Sequence, residues 1–228
     1  MRVKLISYSQ PTTQTQSEGL NDVQDLIAFC ARVSNPSNQY NTETSEKLLR
    51  YLAKHKHWSP FEMASACLEV ETTRDIARQL LRHRSFSFQE FSQRYADPTK
   101  DLEFEPREAR LQDPKNRQNS ISVDWDNEEH RRINEEFRMR QLRHIRDAEN
   151  LYNWAIGKGI AKEQARAILP EGNTISRLYV NGTLRSWIHF IELRSGNGTQ
   201  QEHIDLALAV ADIIAKIFPL SKEYIAQE

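Results

Sequence analysis

Cysteine is scarce: Cys30 and Cys67 are the only two in 228 residues. That excludes a disulfide scaffold and points to a reducing compartment. An excess of one charge is also missing, since 31 Lys and Arg face 32 Asp and Glu for a formal net charge of −1. Without a global basic field, a nucleic-acid binder relying on bulk electrostatics is disfavoured. Long hydrophobic runs are absent. The apolar run at residues 207–215 is broken by Asp212 and is too short to span a bilayer. Residues 1–6 lack the apolar segment of a signal peptide. A cytoplasmic protein with no membrane association is therefore expected. Neither G-x-x-x-x-G-K-[ST] nor G-x-G-x-x-G occurs, and Gly-x-Ser-x-Gly is missing. There is no internal repeat and no low-complexity tract. The length suits one sizeable core, so residues 1–228 are expected to form a single domain.

Periodicity outlines the elements. Val3 and Leu5 mark an N-terminal strand, and Leu26, Ile27 and Cys30 lie at helical spacing within residues 22–33. A second helix spans 44–54, until Pro60 breaks the pattern in His57-Trp58-Ser59-Pro60-Phe61-Glu62. Ala64, Ala66, Leu68 and Val70 alternate with polar residues, which predicts a half-buried strand. Residues 74–83 return to helical period, with Ile76, Ala77, Leu80 and Leu81 on one face and Arg74, Arg78 and Arg82 on another. Residues 96–126 hold Pro98, Pro106 and Pro114 among many charges and read as a long loop. A long charged helix follows over 128–158, with Ile145, Ala148, Tyr152 and Ala155 as its apolar stripe. A short helix at 162–169, a strand at 174–181 and a helix bearing Leu184, Trp187, Ile188 and Ile191 come next. Thr199-Gln200-Gln201-Glu202 fits a capping box for a last helix, whose expected buried stripe is Ile204, Leu208, Ala211, Ala215 and Phe218.

Three constellations carry chemistry. Residues 82–95 read Arg-His-Arg-Ser-Phe-Ser-Phe-Gln-Glu-Phe-Ser-Gln-Arg-Tyr. Their guanidinium groups suit phosphate, which arginine binds bidentately at any working pH. Phe86, Phe88 and Phe91 read as packing residues rather than stacking platforms. The second constellation is residues 183–194, where Arg185 and His189 lie four apart and Arg194 sits at a helix C-terminal end. An amphipathic helix with a dipole-capping arginine explains that spacing equally well. The third, His55-Lys56-His57, offers a His-x-His pair without further ligands at a familiar spacing, so no metal is expected. Both cysteines read as structural, Cys67 on a strand and Cys30 on an apolar helix face.

The string R-H-R-x-x-S-x-Q-E-x-S-x-R-Y resembles that of the flavin-dependent thymidylate synthases. Gln79 precedes it and Leu-Arg-Ser-Trp-Ile-His-Phe-Ile-x-Leu-Arg follows. The likeness continues in Ala31-Arg32-Val33-Ser34, in residues 57–62, and in Ala165-Arg166-Ala167-Ile168-Leu169-Pro170. The resemblance implies an α+β fold: a twisted, largely antiparallel sheet flanked by long helices. It also implies a homotetramer with active sites shared between subunits. The implied reaction converts dUMP to dTMP, with methylenetetrahydrofolate as carbon donor, reduced FAD as hydride source and NADPH as the reductant that recycles the flavin. By the same resemblance, Gln79, Arg82, Glu90, Ser92, Gln93 and Arg94 match dUMP-binding positions. Arg166 matches an arginine reaching the nucleotide from a neighbouring subunit. Arg194 matches the arginine beside the uracil ring and is the catalytic candidate. Ser34, Ser59, Arg82, His83, Arg84, Glu90, Thr183, Arg185 and His189 match FAD-contacting positions. The chain departs from the pattern at Gln89, where many members carry Asn, and at Gly198, where many carry His. Asn181 lies two residues before the Thr183 region, where the family often places Asn.

The chemistry agrees with the resemblance. Methylation at carbon-5 of uracil needs electron density on that carbon, usually raised by a cysteine adding to the ring. No cysteine here is evidently activated, whereas a fixed cation such as Arg194 stabilises an enolate-like anion electrostatically. No side chain supplies hydride, so a cofactor must. Two other readings differ in observable ways. A single-stranded nucleic-acid module would be colourless and salt-sensitive. A plain flavin reductase would oxidise NADPH without forming dTMP.

Overall fold

A computed structural model describes residues 1–226. In chain order the strands and α-helices are β1 (Arg2–Tyr8), α1 (Thr13–Ser17), α2 (Val23–Ala31), α3 (Ser45–Lys54), β2 (Ser65–Thr73) and α4 (Arg74–Leu80). Then come β3 (Ser87–Glu90), α5 (Pro98–Asp101), β4 (Arg110–Gln112), β5 (Ser120–Ser122) and α6 (Glu128–Gly157). The chain continues through α7 (Lys162–Ala165), β6 (Ile175–Thr183), α8 (Leu184–Arg194) and α9 (Gln201–Ile214).

The main sheet has the order β1-β2-β6-β3, and every pairing is antiparallel. The α+β class and largely antiparallel sheet expected from the sequence are thus found. The central strands β2 and β6 pair in register from Ser65↔Thr183 to Thr73↔Ile175. Alternation decides their faces: Ala66, Leu68 and Val70 on β2 meet Leu178 and Val180 of β6 in one buried layer. Trp187, Phe190, Phe61 and Phe218 fill the same core. Each fully buried side chain of this size contributes roughly 1.5–3 kcal/mol relative to exposure.

Each central strand runs directly into a helix, β2 into α4 and β6 into α8. At the second junction the Thr183 hydroxyl caps α8 by accepting from the Ser186 amide at 3.3 Å. Because the strands are antiparallel, the helices start from opposite ends of the sheet. Their C-terminal ends converge, and this convergence builds the site. Gly182 is needed at this corner: a Cβ there would overlap the Phe86 ring, which packs on Trp187 with centroids 4.4 Å apart.

The structure corrects several sequence expectations. Residues 96–126 are not structureless, for they contain α5 and the β4–β5 ribbon. Helix α4 ends at Leu80, three residues short of the expected 83. The N-cap of α9 is Gln200, with no side-chain capping bond, so Thr199 does not form the expected box. The buried face of α9 is His203, Leu206, Ala207, Val210, Ala211 and Ile214. Of the expected stripe, Ala211 and Phe218 are buried while Leu208 is exposed. By contrast, α6 buries the four predicted residues, Ile145, Ala148, Tyr152 and Ala155.

Candidate active site

The convergence of α4 and α8 brings together residues more than a hundred positions apart. Arg194 Nε donates to His83 Nε2 at 2.9 Å. The acceptor role requires His83 to be neutral at Nε2. Burial chiefly, with Arg194 and His189 nearby, pulls its pKa from the ordinary 6.5 to about 4. Burial and the nearby Arg82 guanidinium pull Arg194 below the usual arginine range. Arg82, exposed just beyond α4, thus bears on Arg194 as a second cation. Among the described residues, neither has a carboxylate within salt-bridge distance, unlike Arg78 with Glu171 or Arg94 with Glu163. The Nε bond leaves the terminal nitrogens of Arg194 available to a ligand.

Gln79, at the last turn of α4, donates through Nε2 to Gln200 Oε1 at 2.8 Å. Its Oε1 meets Nδ1 of His203 at 3.1 Å. Glu90, on β3, accepts from the Ser176 hydroxyl at 2.8 Å and faces Arg74 at 3.4 Å. Gln93 is buried, and its Nε2 has no partner among the described residues. An unpartnered buried donor is costly unless a ligand takes it. Ser92 holds the next turn by accepting from the Arg94 amide at 3.4 Å. Arg94 is exposed and pairs with Glu163 at 3.4 Å, which ties it to α7. Lys162 adds a bond to the Tyr95 carbonyl at 2.8 Å. Arg166 sits just beyond α7 in a 3-10 turn and is half-buried.

The outer face of α8 forms a second region. Arg185, Ser186, Ile188 and His189 line a cleft of about 490 Å³ with Lys56, Trp58, Glu62 and Ser85. Arg185 pairs with Glu62. Trp58 and Ile188 give it apolar walls suited to a flat ring, while its charged lining is mixed, Lys56 and Arg185 standing with Glu62 and Glu192. Ser59 is exposed at the start of the 3-10 turn that supplies Glu62. Arg84 is exposed in the turn after α4. Thr183 uses its hydroxyl as the cap of α8. Ser34 lies exposed after α2 and makes no hydrogen bond to another candidate residue among those described.

The sequence-predicted residues thus divide. Gln79, Arg82, His83 and Arg194 gather at one centre, while Arg185 and His189 line the adjoining cleft. Ser34 and Arg166 are not brought to that centre within one chain by any described hydrogen bond. Sequence reading missed Lys56, Trp58 and Glu62 as cleft walls, Arg74 as the cation facing Glu90, and His203 and Gln200 as partners of Gln79. One signal for His203 was available: it is a polar residue one turn before the apolar pair Leu206 and Ala207.

Both cysteines are free, and burial pushes each thiol up. Among the described residues no group of three or more His, Cys, Asp or Glu gathers to hold a metal. No described helix is long and apolar enough to cross a membrane.

Comparison with known proteins gives this geometry a context. The family model described as thymidylate synthase complementing protein matches residues 17–220. A protein named probable flavin-dependent thymidylate synthase, from Paramecium bursaria Chlorella virus 1, is 50% identical over 219 residues, covering 96% of each chain. A flavin-dependent thymidylate synthase from a Synechocystis species is 48% identical over the same share. Among solved structures, the UMP/dUMP methylase PolB from Streptomyces cacaoi, bound with 5-Br dUMP, superposes with a TM-score of 0.73 at 26% identity. That superposition covers 98% of this chain and 93% of the other. Motif, fold and near-full-length identity agree, and the chain belongs to the flavin-dependent thymidylate synthase family.

Proposed function

We propose that this enzyme methylates carbon-5 of dUMP to give dTMP, taking the one-carbon unit from methylenetetrahydrofolate, with reduced FAD as hydride source and NADPH as recycling reductant. The observation that carries this reading is Arg194, a cation pinned through Nε by the neutral His83 imidazole, with Arg82 as a second cation acting on it and no carboxylate paired with either among the described residues. An anionic ligand satisfies such a pair.

The chain's residues divide the work as follows. Arg82 and Gln79, with the orphaned Gln93 amide, bind the nucleotide, and Arg94 joins them by exchanging Glu163 for the anionic ligand. Arg194 lies beside the pyrimidine and stabilises negative charge developing on the ring, which raises electron density at carbon-5. His83 fixes the Arg194 guanidinium by accepting from Nε, so the cation is preorganised rather than mobile. Ser92 lies among the nucleotide-binding residues. Trp58, Ile188, Arg185 and His189 hold the flavin in the α8 cleft, with Ser59, Arg84 and Thr183 at its margins. Glu90, tied to Ser176 and Arg74, orients the strand that carries these groups. When bound, the flavin supplies the two-electron reduction that no side chain can provide. No cysteine nucleophile is required; burial raises both thiols, which disfavours the thiolate such a step needs.

We assign Ser34 and Arg166 to sites completed by a neighbouring subunit of a homotetramer. The surface of α6 supports assembly, because Phe137, Met139, Leu151 and Trp154 are exposed along it. The test is a spectrum. Protein reconstituted with FAD and freed of excess dye should keep a flavin band that bleaches with NADPH under anaerobic conditions. Adding dUMP and methylenetetrahydrofolate should then form dTMP. A colourless protein, or a bleached one that never forms dTMP, would overturn the reading.

A further inference from the structure

We propose that His203 is a positioning residue of the nucleotide site, whose Nδ1–H sets the orientation of the Gln79 carboxamide so that Gln79 presents a donor, not an acceptor, to the substrate. The inference rests on the reading of Gln79 as a nucleotide contact.

The direction of the hydrogen-bond chain carries the argument. Glu202 is a carboxylate and accepts from Gln200 Nε2 at 2.8 Å. That fixes the Gln200 amide, so its Oε1 is left to accept from Gln79 Nε2 at 2.8 Å. Gln79 is fixed in turn, and its Oε1 faces Nδ1 of His203 at 3.1 Å. Two acceptors cannot share a hydrogen bond, so Nδ1 carries the proton. Arg107, facing Glu202 at 3.6 Å and bonded to Asp75 at 2.7 Å, holds the acidic end in place. Gln79 keeps one Nε2 hydrogen unused within this chain of bonds.

His203 is fully buried, and its Nε2 has no partner among the described residues. Its ring packs on Phe190 with centroids 5.6 Å apart and lies edge-on to His83 at 6.3 Å. A leucine there would satisfy the apolar surroundings and remove the unpartnered Nε2, but it would leave Gln79 Oε1 without its donor. The imidazole is thus poorly explained by packing and well explained by its bond to Gln79. Burial, then Arg194 and His83, pull its pKa from the ordinary 6.5 to about 4, which keeps the single-proton form at working pH. The nucleotide feature that Gln79 reads is accordingly an acceptor oxygen.

The test uses flavin-loaded full-length protein and reads dUMP affinity by calorimetry, flavin retention by absorbance and the thermal midpoint. Asparagine places an amide nitrogen where Nδ1 sits; glutamine and leucine do not. His203→Leu and His203→Gln should weaken dUMP by about tenfold, the scale of one lost buried hydrogen bond, with flavin retained. His203→Asn should bind within about threefold of wild type on the same scale. Gln79→Ala should weaken dUMP too, and adding His203→Leu to it should cost little more, as coupled residues do. Should His203→Leu fail to load flavin, Asn against Gln gives the same comparison. If Gln79→Ala weakens dUMP while His203→Leu and His203→Gln bind normally, the positioning role is overturned and the nucleotide reading stands. Asn as weak as Gln would also overturn the role, since a donor at Nδ1 would not matter. Normal dUMP binding by Gln79→Ala would overturn both.

Discussion

At the residue scale, Arg82 and Arg194 hold positive charge with no carboxylate paired to either among the described residues. Arg194 is held through Nε by His83, and among the described residues nothing takes its terminal nitrogens, which the proposed mechanism gives to the pyrimidine ring. Arg194→Ala should leave flavin bound but lower turnover by about 10²–10³-fold, the usual loss for one preorganised electrostatic contact. Turnover like wild type in the flavin-loaded variant would remove Arg194 from the mechanism. The neutral imidazoles beside it give the protein an acid limit. His83 and His203 titrate near 4 when folded, against 6.5 ordinarily. Between those pH values the unfolded chain binds protons that the native state refuses, so stability falls as pH drops from 6.5 to 4 and is flat in these groups above 6.5. Thermal midpoints should show that slope, and His203→Asn should lessen it. An unchanged slope in that variant would mean that other groups govern the acid limit.

At the element scale, helix ends do the positioning, and one of them is strained. Helix α6 closes through Gly159 at φ 79°, with Gly159 donating to the Ile156 carbonyl at 3.0 Å and Ile160 to the Ala155 carbonyl at 3.0 Å. Helix α3 closes through the same pattern of bonds, His57 to Leu52 at 2.8 Å and Lys56 to Ala53 at 3.0 Å, but with Lys56 at φ 58° in the glycine position. A side chain there is disfavoured by about 1–2 kcal/mol, and Lys56 also lines the cleft assigned to flavin. Lys56→Gly should therefore stabilise the apoprotein by about 0.5–1 kcal/mol, allowing for the added freedom of glycine when unfolded. A lower apoprotein midpoint would refute the strain.

The same scale shows what a sequence can and cannot disclose. The stripe of α6 was legible because only one narrow face is buried, and the alternation of β2 because its two faces differ. The face of α9 was misphased because apolar residues surround most of that helix, so several stripes fit equally. The end of α4 was overrun because Leu81 continues the apolar period while the chain turns away to aim Arg82 and His83. The motif revealed Gln79, Arg82, His83 and Arg194 by likeness. Their pairings, His83 with Arg194 and Gln79 with His203, are tertiary and leave no local trace.

At the scale of the whole molecule, two claims remain to be measured. The first concerns assembly. If Arg166 serves a neighbouring subunit's site, inactive Arg166→Ala and Arg82→Ala proteins should regain activity when mixed and exchanged, and mixed assemblies that stay inactive would contradict shared sites. The second is the source of the reducing electrons, on which the whole account depends. An anaerobic single turnover tests it most directly: Cys30→Ala/Cys67→Ala protein with its flavin reduced, excess reductant removed, then given dUMP and methylenetetrahydrofolate. The account predicts one dTMP formed for each flavin reoxidised, at a rate close to that of the parent enzyme. Folded, flavin-loaded protein that forms no dTMP, or that forms it while the flavin stays reduced, would contradict it.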